Sequence, residues 1–271
     1  MAITRRHALQ GAATGAGLAT FAVAGAAPST AQVKGRTFVL VHGSWHGGWC
    51  WARVRDILAA NGHRVLTPTL TGLADRSHLL TKDVTLGTHI ADIVNLFRWE
   101  DLENVVLVGH SYAGWVITGA IEKVLPQVAS IVYLDAFIPD NGDTGLKLSS
   151  AVFRKSLEDA IAKGEVGRPV PPAATFKIIE AGNAAWVQAK MTPQPLAVSL
   201  QPIVVTGAYN KVAKKTYIRA PAFAQPGFDA YLARCKADPG WRTYVFPSDE
   251  AGHDVMVDAP QRLAEILADV A

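Results

Sequence analysis

The stretch Val105-Val106-Leu107-Val108-Gly109-His110-Ser111-Tyr112-Ala113-Gly114 constrains this chain more than any other. Four consecutive apolar residues predict a short strand buried on both faces, and the segment from Gly114 to Ile121 predicts the start of an apolar helix. Between them lies a Gly-His-Ser-Tyr-Ala turn. Small residues flanking Ser111 let the backbone reverse sharply, and such a turn lifts the serine hydroxyl out of the sheet. The usual pattern is Gly-x-Ser-x-Gly, and here the last position is Ala113, whose methyl group is the smallest departure available.

Elements before and after this turn repeat one theme. Thr37–Val41, Arg64–Pro68, Ile131–Leu134, Thr216–Arg219 and Arg242–Phe246 read as strands. Cys50–Ala60, stopped by Asn61-Gly62, reads as a helix, as do His89–Phe97, Gly227–Lys236 and Pro260–Val270. Alternating strands and helices predict an α/β architecture, a mostly parallel sheet of about six strands with helices on both faces. From about 140 to 202 the alternation breaks down around Pro169, Pro171, Pro172, Pro193, Pro195 and Pro202. That segment follows the strand after the nucleophile helix, where a helical cap is expected.

The N-terminus stands apart. Arg5-Arg6 precede a weakly apolar, Gly/Ala-rich run from Gly11 to Ala27, with small residues suited to cleavage near Ala27 or Ala31. Residues 1–31 therefore read as a twin-arginine export signal, leaving a domain at 36–271 and a periplasmic or secreted product. A formal net charge of +3 over 271 residues gives no pull toward nucleic acid or a membrane surface. Cys50 and Cys235 have no metal-ligand spacing, and whether they pair stays open.

A serine hydroxyl becomes a nucleophile when an imidazole takes its proton and a carboxylate orients that imidazole. His253, in the loop before the last helix, is the candidate base. His42, His46 and His110 come too early in the chain for that role. For the acid, Asp135 stands at the end of the strand after the elbow helix and is favoured. Asp229 is the alternative, since the loop after the next strand has no carboxylate before it. The N–H groups of Ser44 and Tyr112 are the candidate donors for an oxyanion. Trp45, Trp115, Phe137 and Trp186 are candidate walls of an apolar pocket.

These motifs resemble the α/β-hydrolase superfamily, in particular the branch of plant methyl esterases, hydroxynitrile lyases and related bacterial carboxylesterases. The resemblance rests on Val39 to Trp51, on Gly109-His110-Ser111-Tyr112-Ala113-Gly114 and on Gly252-His253-Asp254, and is weakest across the cap. It implies an α/β-hydrolase fold and hydrolysis of small to medium apolar or aromatic esters through an acyl-serine, with no metal or cofactor. Hydroxynitrile lyases carry threonine in place of Gly43 and lysine in place of Asp254, so lyase chemistry is not expected. A lactonase with the same three residues, or a ligand-binding relative that has lost catalysis, are the alternatives.

Overall fold

A computed structural model of the chain describes residues 35–271. The proposed export signal lies outside the described residues. Nine α-helices and eight strands are described: β1 Thr37–Val41, α1 Ala52–Ala60, β2 Arg64–Leu66, α2 Leu86–Trp99, β3 Val105–His110, α3 Ala113–Val124 and β4 Val128–Leu134 come first. The segment after β4 contains α4 Gly145–Leu148, α5 Ala151–Ala162, β5 Gly167–Arg168, α6 Ala181–Lys190 and β6 Gln194–Pro195. β7 Lys214–Arg219, α7 Pro226–Ala237, β8 Trp241–Val245, α8 Val255–Asp258 and α9 Pro260–Asp269 complete the order.

Six strands form one parallel sheet in the order β2-β1-β3-β4-β7-β8. Side chains alternate along each strand, as the pleat requires. Val39, Val41, Leu107, Ile131, Tyr133 and Tyr217 face one core layer, closed by α2, α3 and α7. Phe38, Leu40, Val106, Val108, Val132, Leu134 and Ile218 face the other, closed by α1 and α9. Both faces of the central strands are covered, so β1, β3 and the second half of β4 read in sequence as apolar runs. Each Val, Leu or Ile side chain buried in this way contributes roughly 1.5–3 kcal/mol.

The chain leaves β1 toward β2 on one side and returns to β3 on the other. The loops after β1 and β3 therefore part at a crevice above the sheet, the place where open α/β sheets bind ligands. The segment between β4 and β7 sits over that crevice. Its β5–β6 pair is antiparallel, with Arg168 opposite Gln194, a pairing that two-residue strands do not announce in sequence. Cys50 and Cys235 are both buried free thiols. They lie in different core layers, on opposite faces of the sheet.

The expected elements are present, with longer α2 and β4 than the apolar spacing alone predicts. The start of α2 is set by a reciprocal cap, in which Thr85 and Thr88 each accept from the other's backbone N–H. The close packing of α3 depends on Gly114, since a Cβ there would lie 2.0 Å from the Phe137 carbonyl oxygen. Gly→Ala within a helix normally stabilises by about 1 kcal/mol. At this position the sign reverses, because a rigid backbone oxygen cannot give way. Gly114→Ala is expected to destabilise by about 1–3 kcal/mol, read as a lowered thermal midpoint. An unchanged or raised midpoint would contradict this close approach.

Candidate active site

Ser111 sits at the turn between β3 and α3 with φ 55°, in the left-handed region that side chains other than glycine seldom adopt. The turn is held by Ser111 N–H donating to Leu134 O at 3.1 Å and by Ser111 O accepting from Gly114 N–H at 3.1 Å. Asp135, at the end of β4, is left-handed as well, with φ 43°, and its N–H donates to Ile218 O on β7 at 2.6 Å. Each such residue stores of order 1–3 kcal/mol of strain, which the surrounding structure must hold.

Across this edge the side chains form one line. His253 Nε2 lies 2.8 Å from Ser111 Oγ, and His253 Nδ1 lies 2.6 Å from Asp135 Oδ2. A carboxylate accepts, so Nδ1 carries the proton toward Asp135 and Nε2 is left as the acceptor facing the serine. The other oxygen, Asp135 Oδ1, accepts from Arg219 at 2.7 Å and from Ala220 N–H at 3.0 Å. Asp229 is not part of this line. It accepts from Arg219 Nε at 2.8 Å with its own carboxylate 59% exposed. Of the two candidate acids, the structure brings only Asp135 to the histidine.

Other histidines divide sharply by partner. His42 accepts from Leu70 N–H through Nε2, so its proton is on Nδ1 and donates to Gly43 O. His89 donates from Nε2 to Thr71 O and accepts from the Tyr112 hydroxyl at Nδ1. Burial pushes His42 down to about 3 and His89 down to about 4. His110 is driven well below the ordinary range by burial and by nearby His253, and among the described residues its Nδ1 has no partner.

His46 behaves differently. Both ring nitrogens face acceptors, Ser44 O at 2.7 Å and Asp254 Oδ2 at 3.1 Å, so it is an imidazolium. Burial alone would lower its pKa, but the Asp254 charge and hydrogen bond raise it. In turn, burial would raise Asp254, and the His46 charge holds it down at about 2. This buried pair ties the Ser44 loop to the residue beside His253.

The crevice between these loops is a cavity of about 50 Å³. Ser44, Tyr112, Trp45, Trp115 and Phe137 line it. Among the described residues neither the Ser44 nor the Tyr112 backbone N–H has a protein acceptor. Gly43 keeps the loop close to the elbow, since a Cβ there would be 2.9 Å from His110 Nδ1 and 3.0 Å from Ser111 Cβ. Trp186 is a correction. It stands outside the cavity, edge-on to Trp49 at 5.0 Å, with Arg53 and Lys190 over its ring. An amphipathic cap helix can turn its aromatic residue either way, and here Trp186 packs half-buried beside Trp49 against the α1 and α9 core layer instead of the cavity.

Rings that the motifs did not single out enclose the histidine. Phe223 stacks on His253 at 4.2 Å and Phe228 at 6.0 Å. Phe176 stacks on it at 5.9 Å, and the Phe176 carbonyl accepts the His253 N–H at 2.8 Å. Trp45, with φ 64°, is gripped by the cap at three points. Its N–H donates to Gln194 Oε1, its indole N–H donates to Pro169 O, and its carbonyl accepts from Thr192 N–H. Among the described residues no group of three or more His, Cys, Asp or Glu is arranged to hold a metal ion.

A parallel sheet with a serine at the β3–α3 turn and a histidine before the last helix defines a class. The family model for the alpha/beta hydrolase family matches residues 38–266, and the chain belongs to that family. A carbendazim hydrolyzing esterase from Nocardioides sp. (strain SG-4G) is 42% identical over 240 residues, covering 85% of this chain and 98% of the relative. Methylesterase 1 of Arabidopsis thaliana is 40% identical over a shorter 105 residues, 38% of this chain and 40% of the relative. Among solved structures, an extracellular alpha/beta-hydrolase from a Paenibacillus species has a TM-score of 0.73 at 23% identity, covering 87% of this chain and 99% of that one. That last likeness shows the fold. The chain is a carboxylic ester hydrolase of the alpha/beta-hydrolase type, and its substrates are small-molecule esters.

The buried neutral histidines give the folded protein a defined pH dependence. A histidine lowered in the folded state binds its proton more weakly than in the unfolded chain. Its contribution is complete above about pH 6.5 and is lost as pH falls toward the folded value. His42 and His89 should each add a slope of up to about 1.4 kcal/mol per pH unit, stability falling from about pH 6.5 toward 4. The His46–Asp254 pair has other limits: Asp254's share is lost as pH falls from its ordinary range toward 2, and His46's as pH rises through its raised value. Denaturant titrations from pH 7 to 4.5 should show this loss. His89→Gln should reduce its slope by close to one proton, and an unchanged slope would contradict a neutral His89.

Proposed function

We propose that the protein cleaves its esters through an acyl-serine intermediate, with Ser111 as nucleophile, His253 as proton shuttle and Asp135 as the residue that orients His253. The observation that carries this reading is the unbroken hydrogen-bonded line from Asp135 Oδ2 through His253 to Ser111 Oγ. His253 Nε2 takes the Ser111 proton as the hydroxyl attacks the ester carbonyl. The imidazolium, facing the Asp135 carboxylate, then returns that proton to the leaving alcohol. Water, activated by the same imidazole, attacks the acyl-serine and releases the acid.

Two unengaged N–H groups, those of Ser44 and Tyr112, are the donors for the tetrahedral oxyanion. Each such donor is worth roughly 100- to 1,000-fold in rate. The Ser44 carbonyl, held by the His46 imidazolium, fixes one side of that loop. The aromatic walls favour a small to medium apolar or aromatic ester. Because the Nocardioides relative hydrolyses carbendazim, that compound belongs in the substrate panel beside simple aryl and alkyl esters.

The test is steady-state hydrolysis of this panel by four variants. Ser111→Ala and His253→Ala should lose at least about 10⁴-fold in kcat, and Asp135→Asn about 10⁴-fold through the wrong histidine tautomer. Asp229→Asn, which touches Arg219 at the surface, should change the rate by less than about tenfold. If Asp229→Asn abolishes activity and Asp135→Asn does not, the assignment of the acid is wrong.

A further inference from the structure

Arg168 lines the same cavity as Ser111 and His253, yet it is only 5% exposed. A guanidinium offers five N–H donors, and burying them without acceptors is costly. Among the described residues the Arg168 side chain makes no hydrogen bond and has no carboxylate within ion-pair distance, and its Nε is fully buried with no partner. Arg219, equally buried, shows the contrast. Its donors go to Asp135, Asp229, Ala220 O and Phe223 O.

Two rings hold Arg168 in place. Its Cζ lies 4.2 Å from the centroid of Trp45 and 5.6 Å from that of Phe153. Stacking of this kind satisfies the flat face of the guanidinium and leaves its N–H edge for an acceptor in plane. A second unsatisfied donor lies on the facing strand. Gln194 is the cross-strand partner of Arg168, and its Oε1 is occupied by the Trp45 N–H. Among the described residues Gln194 Nε2 is buried without an acceptor. Donors are in surplus here, beside the Ser44 loop, and among the described residues no acidic side chain answers them. Burial also lowers Arg168 to about 10, the direction expected of a cation lacking a counter-charge.

We propose that the preferred substrate carries a second, ionised carboxylate, received by Arg168 while the ester carbonyl lies at Ser111. This rests on the esterase reading above and narrows it from apolar esters to half-esters of dicarboxylic acids. A planar carboxylate matches the guanidinium edge with two parallel hydrogen bonds, and the aromatic walls accommodate the carbon frame between the two groups. The charge balance of the cavity then closes on binding: one buried cation meets one anion.

The experiment uses competition against p-nitrophenyl acetate hydrolysis, so that it reads binding whether or not the competitor is turned over. Monomethyl terephthalate and monomethyl adipate are each compared with the neutral analogue in which a carboxamide replaces the free carboxylate. The half-esters should compete about 10- to 100-fold more tightly than their carboxamides. Arg168→Gln should bring that ratio to about one, and Arg168→Lys should retain part of it. Fluorophosphonate labelling of Ser111 and the thermal midpoint establish that each variant is folded with its site assembled. Equal or weaker competition by the half-esters, no competition by either compound, or a ratio unchanged in Arg168→Gln would each overturn the proposal. Loss of p-nitrophenyl acetate hydrolysis in Ser111→Ala tests the esterase reading separately. If that hydrolysis persists without Ser111, it is the esterase mechanism, not the Arg168 assignment alone, that fails.

Discussion

The hydrogen bond between Asp135 Oδ2 and His253 Nδ1, 2.6 Å long in an interior closed to water, is the constraint around which the rest of this site is built. A buried carboxylate is costly unless donors surround it. Asp135 has three: the imidazole, the Arg219 guanidinium and the Ala220 amide. Arg219 is itself pinned by Ala220 O, Phe223 O and Asp229. The ends of β4 and β7 are thereby locked together at the point where the histidine arrives. The left-handed backbone at Asp135 and at Ser111 is the local strain that this locking sustains.

Around that bond, the other loops are held by groups that are not in the reacting line. The His46–Asp254 ion pair joins the loop after β1 to the loop carrying His253. The cap reaches down through Trp45 on one side and the Phe176 carbonyl on the other. Each neutral hydrogen bond of this kind contributes only about 1 kcal/mol net. Together they fix the Ser44 and Tyr112 N–H groups, the donors proposed for the oxyanion, relative to Ser111, and preorganisation of that sort accounts for much of the rate in acyl transfer. The cap is thus part of the site's geometry as well as its cover.

Much of this was legible in the sequence, for a physical reason. The six strands, the elbow, Ser111 and His253 depend on short-range patterns: apolar runs, tight turns and helix stops. Asp135 and Asp229 could not be fully separated in that way, because both lie near the right edge of the sheet. Arg219 holds the two apart, with one nitrogen on Asp135 and another on Asp229, and His253 meets Asp135. The placement of Trp186 away from the cavity depends on Trp49 and Arg53, which lie far from it in the chain, as well as on Lys190, its i,i+4 neighbour on α6. Phe176 and Arg168, from the segment between β4 and β7, and Phe223, from the loop after β7, meet the site far along the chain from Ser111. Their only sequence signal was an aromatic or a cation in a segment read as irregular, for Phe176 and Arg168, or in a loop after a strand, for Phe223.

The most direct test of the acyl-serine mechanism is to trap the nucleophile. A fluorophosphonate reacts with a serine only where a neighbouring base has activated it, and intact mass followed by peptide mapping locates the adduct. The predicted result is a single adduct on the peptide containing Ser111, formed rapidly in the native protein and abolished in His253→Ala. An adduct on another residue, or one that forms on Ser111 equally fast without His253, would contradict the account.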